Sequence, residues 1–272
     1  MTEFRKRGLG WMPPEPSVMA RLKFAKAPAS EMLIGIEPAD VADNSGLVRV
    51  VDQGDLGSCV ANACGQIIRG EMVRNGAGDV EIPSRLWAYQ LALNAQNTEG
   101  QDVGTNLATC MDCLAEFGYP PESRMPYDVA SFGKRPSPTA WHDAVDQRAP
   151  GGLCYHQISE TGDARVLAVR QALTAGHLVA FGTQVTEEFC SSQPPELVDV
   201  PKAGDTYAGG HAMVWCGYRA IIGERPRYRV ANSWGPGFGS GGFFWMSEEY
   251  LRWRLTRDIW ICSNPPRYSE AS

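Results

Sequence analysis

Three residues of this sequence have the types and surroundings that covalent chemistry needs. In VDQGDLGSCVANACGQIIRG, Val51 to Gly70, Cys59 stands where a glycine-containing turn gives way to helical spacing. The unpaired N–H groups and positive dipole end of a helix start favour a thiolate, the nucleophilic form of cysteine. A thiolate nucleophile needs a base. His211 follows Gly209-Gly210 at the head of the run HAMVWCGY, where small neighbours leave room for a ring to reach across a cleft. Asn232, in VANSWGPGFG at the end of the next such run, can offer an amide oxygen to one ring nitrogen while the other faces the thiol. Trp234, two residues on, is placed to cover that hydrogen bond from water. Taken alone, Asn232 could equally close a strand with an Asx turn.

Gln53, six residues before Cys59, can aim its side-chain NH2 at the same point as the Cys59 backbone N–H. Two donors converging beside a nucleophile make an oxyanion hole, which stabilises charge developing on a carbonyl oxygen. The alternative is a solvated loop glutamine. The other three histidines read as structural or surface residues: His142 in a polar loop after Trp141, His156 after Tyr155, and His177 just past a helix-ending glycine. Cys110-Met-Asp-Cys113 is one CxxC, without a second pair or a nearby histidine to complete a zinc site, and it falls inside a helical pattern. It reads as core, so neither a metal nor a cofactor is expected.

The elements that must hold these groups follow from periodicity. After Cys59, the apolar residues Val60, Ala63, Cys64, Ile67, Ile68 and Met72 keep helical spacing until Asn75-Gly76. A second helix opens at Pro83-Ser84 and carries Leu86, Trp87, Leu91 and Leu93; a third runs from about Thr105 to Gly118; a fourth, ARVLAVRQALTAG, closes at Gly176. Then the texture changes to short β-branched and aromatic runs: HLVAFGTQV, HAMVWCGYRAII, RYRVANSW, GGFFWM and DIWIC. The expectation is an α+β chain of two unlike lobes with a cleft between them. The helical lobe spans about 47–150 and the β-rich lobe about 151–262, while residues 1–46, rich in proline, form an extended arm or short pro-segment.

Composition bounds the partners. The 272 residues suffice for a sizeable core, and 43% hydrophobic with 21% charged is the balance of a globular protein. A net charge of −6, without a basic run, argues against nucleic acid. No apolar stretch is long enough to span a bilayer, and the basic start MTEFRKRGLGWMPPEPS runs into prolines rather than a signal-peptide core. A cytoplasmic location, or carriage by a non-classical route or a particle, is therefore expected. Eight cysteines in a chain this long do not demand a disulfide framework.

QGDLGSCVANA, GGHAMVWCGY and VANSWGPGFGSGGFFWM, in this order, resemble the three site blocks of the papain family of cysteine peptidases, whose dispersed Cys, His and Asn are a known pattern. Similarity to bacterial members extends over roughly Val50 to Cys262, and GLGWMPPEPS is similar to a short tryptophan-proline arm of some relatives. The resemblance implies a papain-like two-lobe fold and a peptide or protein substrate. It also implies catalytic roles for Cys59, His211, Asn232 and Gln53, and substrate contacts at Gly57, Gly104, Gly210 and Trp234. Gly104 is expected on the cleft wall, offering its backbone to an extended strand.

There are departures from the family pattern. Leu56 stands where many relatives have a disulfide cysteine, Val60 where tryptophan is common, and the long helical propeptide is missing. The mechanism implied is acyl transfer through a Cys59 thioester with His211 as acid and base. Two other readings fit the same residues: a catalytically silent papain-fold protein that binds peptides or serves a larger, even viral, assembly, and an acyltransferase or deamidase. The arm is open to three placements: in the cleft, on the back of the domain, or on another protein.

Overall fold

The computed structural model describes residues 8–146, 153–191 and 193–263. The chain begins with α1 (Pro16–Met19), α2 (Ala29–Met32) and β1 (Val41–Asp43), followed by α3 (Cys59–Arg74), α4 (Arg85–Ala95), α5 (Leu107–Phe117) and α6 (Pro138–Asp146). After β2 (Cys154–Gln157) and α7 (Gly162–Thr174) come β3 (Val179–Thr186), α8 (Glu187–Ser191) and β4 (Tyr207–Arg219). The last elements are β5 (Arg227–Ala231), β6 (Phe243–Ser247), α9 (Glu249–Arg252) and β7 (Arg257–Ser263). This is an α+β fold, with a helical N-terminal part and an antiparallel sheet in the C-terminal part.

Local chemistry explains the helices. Ser84 caps α4 by accepting from the Trp87 N–H, and Asn106 caps α5 by accepting from the Thr109 N–H at 2.8 Å. Gly118, at φ +74°, ends α5 with a conformation that a side chain would resist. The four helices expected from periodicity are α3, α4, α5 and α7. His142 departs from its reading as a loop residue and lies exposed on α6. Ser137 caps that helix at the Ala140 N–H, Ala140 and Ala144 face the core, and Trp141 packs edge-on against Trp87.

The sheet order is β2-β7-β3-β4-β5-β6, with β1 paired to β4, and every pairing is antiparallel. α3 is buried from Cys59 to Met72 and lies between α4 and α5 on one side and β4 on the other. Glycine lets it come close: a Cβ on Gly70 would sit 2.5 Å from Leu178 Cδ1. Cys110 and Cys113 are buried in α5 with their thiols directed at the Ala88 and Leu91 carbonyls. Among the described residues no helix is long and apolar enough to cross a membrane.

The far end of α3 is fastened to the sheet by a buried ion cluster. Glu71 Oε2 meets His177 Nδ1 at 3.0 Å and accepts from Arg74 Nε at 2.9 Å, and Oε1 accepts from Asn75 Nδ2 at 3.1 Å. Burial alone would push the Glu71 carboxyl up, but the hydrogen bonds and charges of His177 and Arg74 prevail and hold it at about 2. A depressed carboxyl stabilises the fold above its unfolded value and loses that contribution as pH falls toward the folded one. Glu71 is therefore expected to contribute about 3 kcal/mol at neutral pH, lost between about pH 5 and 2. Urea unfolding across that range should show Glu71→Gln less stable than wild type at pH 7 and less sensitive to acid.

Candidate active site

The turn before α3 is fixed by groups from both parts of the molecule. Gln53 N–H donates to the Ser233 carbonyl at 2.8 Å, Ser233 Oγ donates to Gln53 Oε1 at 2.5 Å, and Tyr127 OH donates to the Gln53 carbonyl at 2.8 Å. Asp102 Oδ1 accepts from the Gly57 N–H at 2.9 Å and from Tyr89 OH at 2.6 Å. These contacts set Cys59 as the first residue of α3, where helix N–H groups lack internal partners. Gln53 is fully buried, which disposes of the solvated-loop alternative.

His211 lies on β4 opposite Thr183 and is fully buried. Its Nε2 is 2.9 Å from Asn232 Oδ1. The same oxygen accepts the Ser233 backbone N–H at 2.8 Å, so it is the oxygen of the amide that faces the ring, and Nε2 carries the proton. Trp234 stacks on the imidazole with ring centroids 4.6 Å apart and planes 24° from parallel, covering the bond from solvent. Backbone groups of Ala212 and Val60 lie against the Cys59 thiol, so the start of α3 and the head of the His211 strand meet at the sulfur.

The N-terminal arm fills the groove over this thiol. Gly8 N–H donates to the Gly54 carbonyl at 3.3 Å, and the Gly8 carbonyl accepts from Gln53 Nε2 at 3.1 Å. Further along, Thr105 N–H donates to the Gly10 carbonyl at 2.7 Å, Trp11 N–H to the Gly210 carbonyl at 3.1 Å, and Met12 N–H to the Thr105 carbonyl at 2.8 Å. The arm thus pairs in parallel with the cleft wall. Only glycine permits this approach: a Cβ on Gly10 would fall 1.8 Å from the Gly57 carbonyl oxygen, and one on Gly8 2.0 Å from that of Leu56. Cys59 is left with no exposed surface. Burial pushes its thiol up to about 11, against the opposite pull of backbone groups from Ala212, Gly10, Val60 and Trp11.

The comparisons with known proteins agree with this geometry. Residues 203–255, which hold His211 and Asn232, match the Peptidase C1-like family. An uncharacterized peptidase C1-like protein of Acanthamoeba polyphaga mimivirus is 29% identical over 218 residues, covering 78% of this chain and 68% of its own. The crystal structure of xylellain, a cysteine protease from Xylella fastidiosa, superposes with a TM-score of 0.79 at 26% identity over 97% of this chain and 98% of its own. In sequence and in fold the chain is similar to the papain-like cysteine peptidases. A digestive procathepsin L from the larval midgut of Tenebrio molitor shares the fold, with a TM-score of 0.72 at 19% identity over 95% of this chain and 78% of its own.

Within that family fold, Cys59, His211, Asn232 and Gln53 come together at one end of the cleft. Of the four expected substrate-contact positions, Gly210 gives its carbonyl to the arm, Gly57 lies beneath Leu9 and Gly10, and Trp234 covers His211. Gly104 lines the wall, but its N–H donates to Tyr89 OH and its carbonyl accepts from Gln96. Strand pairing falls instead to Thr105, because φ +81° at Gly104 turns its own amide away from the groove. Sequence reasoning passed over Asp102, Tyr89 and Tyr127, which brace the turn from remote positions with no local motif, and Ser233, which lies beside Asn232 in VANSWGPGFG. Displacing the arm should expose the thiol. Gly10→Val in the full chain is expected to raise the iodoacetamide alkylation rate of Cys59 at least about tenfold, since weakening the docked strand by about 1.4 kcal/mol suffices. Peptide mapping by mass spectrometry checks it, and an unchanged rate would mean that the arm does not control access.

Proposed function

We propose that this chain is a cysteine endopeptidase that carries its own N-terminal arm in the cleft as a reversible block. The observation that carries the reading is the His211 Nε2 to Asn232 Oδ1 bond of 2.9 Å, sealed under Trp234, on a strand whose next residue, Ala212, meets the Cys59 thiol at a helix start. A buried histidine oriented by an amide and placed next to a cysteine is the arrangement that activates a thiol toward carbonyl carbon.

With the arm withdrawn, the thiol is no longer desolvated, and the helix N-terminus and imidazole favour its thiolate. Proton exchange falls to His211 Nδ1, because Nε2 is committed to Asn232. Cys59 Sγ attacks the scissile carbonyl carbon, forming the S–C bond. The oxyanion accepts from Gln53 Nε2 and the Cys59 N–H, and the C–N bond breaks as His211 protonates the leaving amine. Water then attacks the thioester while His211 takes its proton, releasing the acid and the thiol. The Gly8 carbonyl already holds Gln53 Nε2 in the blocked form, so the arm supplies in advance the kind of acceptor that the reaction would create.

In a Gly10→Val background, new N-termini in a digested unfolded protein are the expected products, and Cys59→Ala abolishes them. Gln53→Ala is expected to lower kcat/KM about 100-fold with little change in KM, as for loss of one oxyanion donor. Asn232→Ala should lower kcat as well. Side-chain mass changes without new N-termini would instead favour the deamidase reading, and no turnover with an accessible thiol would favour a binding role.

A further inference from the structure

Asp258 is a buried carboxylate with no part in the thiol chemistry. It is 5% exposed and sits in the left-handed region, φ +54°, near the start of β7. The pairing of β3 with β7 is irregular between Ala180 and Gly182, and such a bulge re-aims side chains. Its Oδ1 accepts from Trp260 Nε1 at 2.6 Å, and its Oδ2 accepts from the Leu107 N–H at 2.7 Å and from Trp11 Nε1 at 3.0 Å. Burial pushes the carboxyl up against the pull of these donors.

The Trp260, Leu107 and Ala108 N–H groups that meet this carboxylate belong to the body of the fold, and the Trp11 donor arrives with the arm. The Trp11 indole, 3% exposed, fills a slot that glycine keeps open. A Cβ on Gly182 would lie 1.9 Å from Trp11 Cε2, and one on Gly210 2.9 Å from Cε3. The slot opens directly off the strand-pairing groups of the groove, the Thr105 amide and the Gly210 carbonyl. Any strand that replaces the arm along those groups presents a side chain to the same slot. Without a donor from that side chain, a buried oxygen is left short of a hydrogen bond, a penalty that an apolar side chain cannot relieve.

We propose that Asp258 makes this slot select peptides whose inserted side chain ends in an N–H donor, the indole of tryptophan or the guanidinium of arginine, over phenyl and aliphatic side chains. Cleavage of such peptides rests on the peptidase reading; the selectivity of the slot does not.

The tethered arm is itself a probe, because Trp11 already fills the slot. In the full chain, Trp11→Phe keeps a ring but removes the N–H, and should raise the Cys59 alkylation rate at least about tenfold. Trp11→Arg should stay near the wild-type rate. Trp11→Phe combined with Asp258→Leu should cost less than the two changes separately, which marks direct coupling. Should Asp258→Leu fail to fold, the Trp11 variants still decide. A peptide library with each position varied is then offered for cleavage to Gly10→Val and for binding to the Gly10→Val, Cys59→Ala double variant. A wild-type alkylation rate for Trp11→Phe, or a library bound without regard to N–H-tipped side chains, overturns the pocket. Selective binding without cleavage upholds the pocket and removes the peptidase reading, while cleavage without selectivity does the reverse.

Discussion

Burial and ionisation oppose each other in a thiol, and around Cys59 one strand decides between them. A helix start and a neighbouring imidazole favour the thiolate, yet with the arm in place the sulfur has no exposed surface and its pKa stands near 11. Nothing in the catalytic geometry needs to be rebuilt to change this, since His211, Asn232 and Trp234 are already assembled beneath the arm. What must change is solvent access.

That arrangement depends on two kinds of close approach. Backbone lies on backbone where Gly8 and Gly10 cross the Leu56 and Gly57 carbonyls, and a side chain at either position would lift the strand. The two halves of the fold, in turn, are joined at the site itself. Gln53 is held by Ser233, and Asp52 pairs with Trp234, so the turn carrying Gln53 and the strand end carrying Asn232 move as one. At its other end, α3 is tied to the sheet by Glu71 and His177. Cys59 is thus fixed relative to His211 from both ends of one buried helix.

The parts that could be read from sequence are those encoded locally. Apolar spacing from Val60 to Met72, the helix opening at Pro83-Ser84, and the aromatic β runs specify elements without reference to distant residues. Cys59, His211 and Asn232 were legible because each stands in a distinctive setting of glycines or at an element end. The arm's path was not, because GLGW has no periodicity and its partners, Gly54, Thr105, Gly210 and Asp258, are scattered along the chain. Strand pairing at Thr105 rather than Gly104 depends on one backbone torsion, and residue type alone does not settle it. Asp258 opens the apolar run DIWIC, and a charge at the head of a buried strand was the one available sign of an inward-facing carboxylate.

In the proposed reading, the arm and an active-site ligand compete for one groove over an assembled site. Amide hydrogen exchange, resolved by residue, tests it on wild-type protein before and after covalent labelling of Cys59 with a peptidyl epoxide. The Trp11 and Met12 amides, bonded to Gly210 and Thr105, are predicted to be protected in the unlabelled chain and to lose protection on labelling, with α3 and the sheet unchanged. Labelling at Cys59 with those two amides still protected would contradict it, as would finding them unprotected from the start.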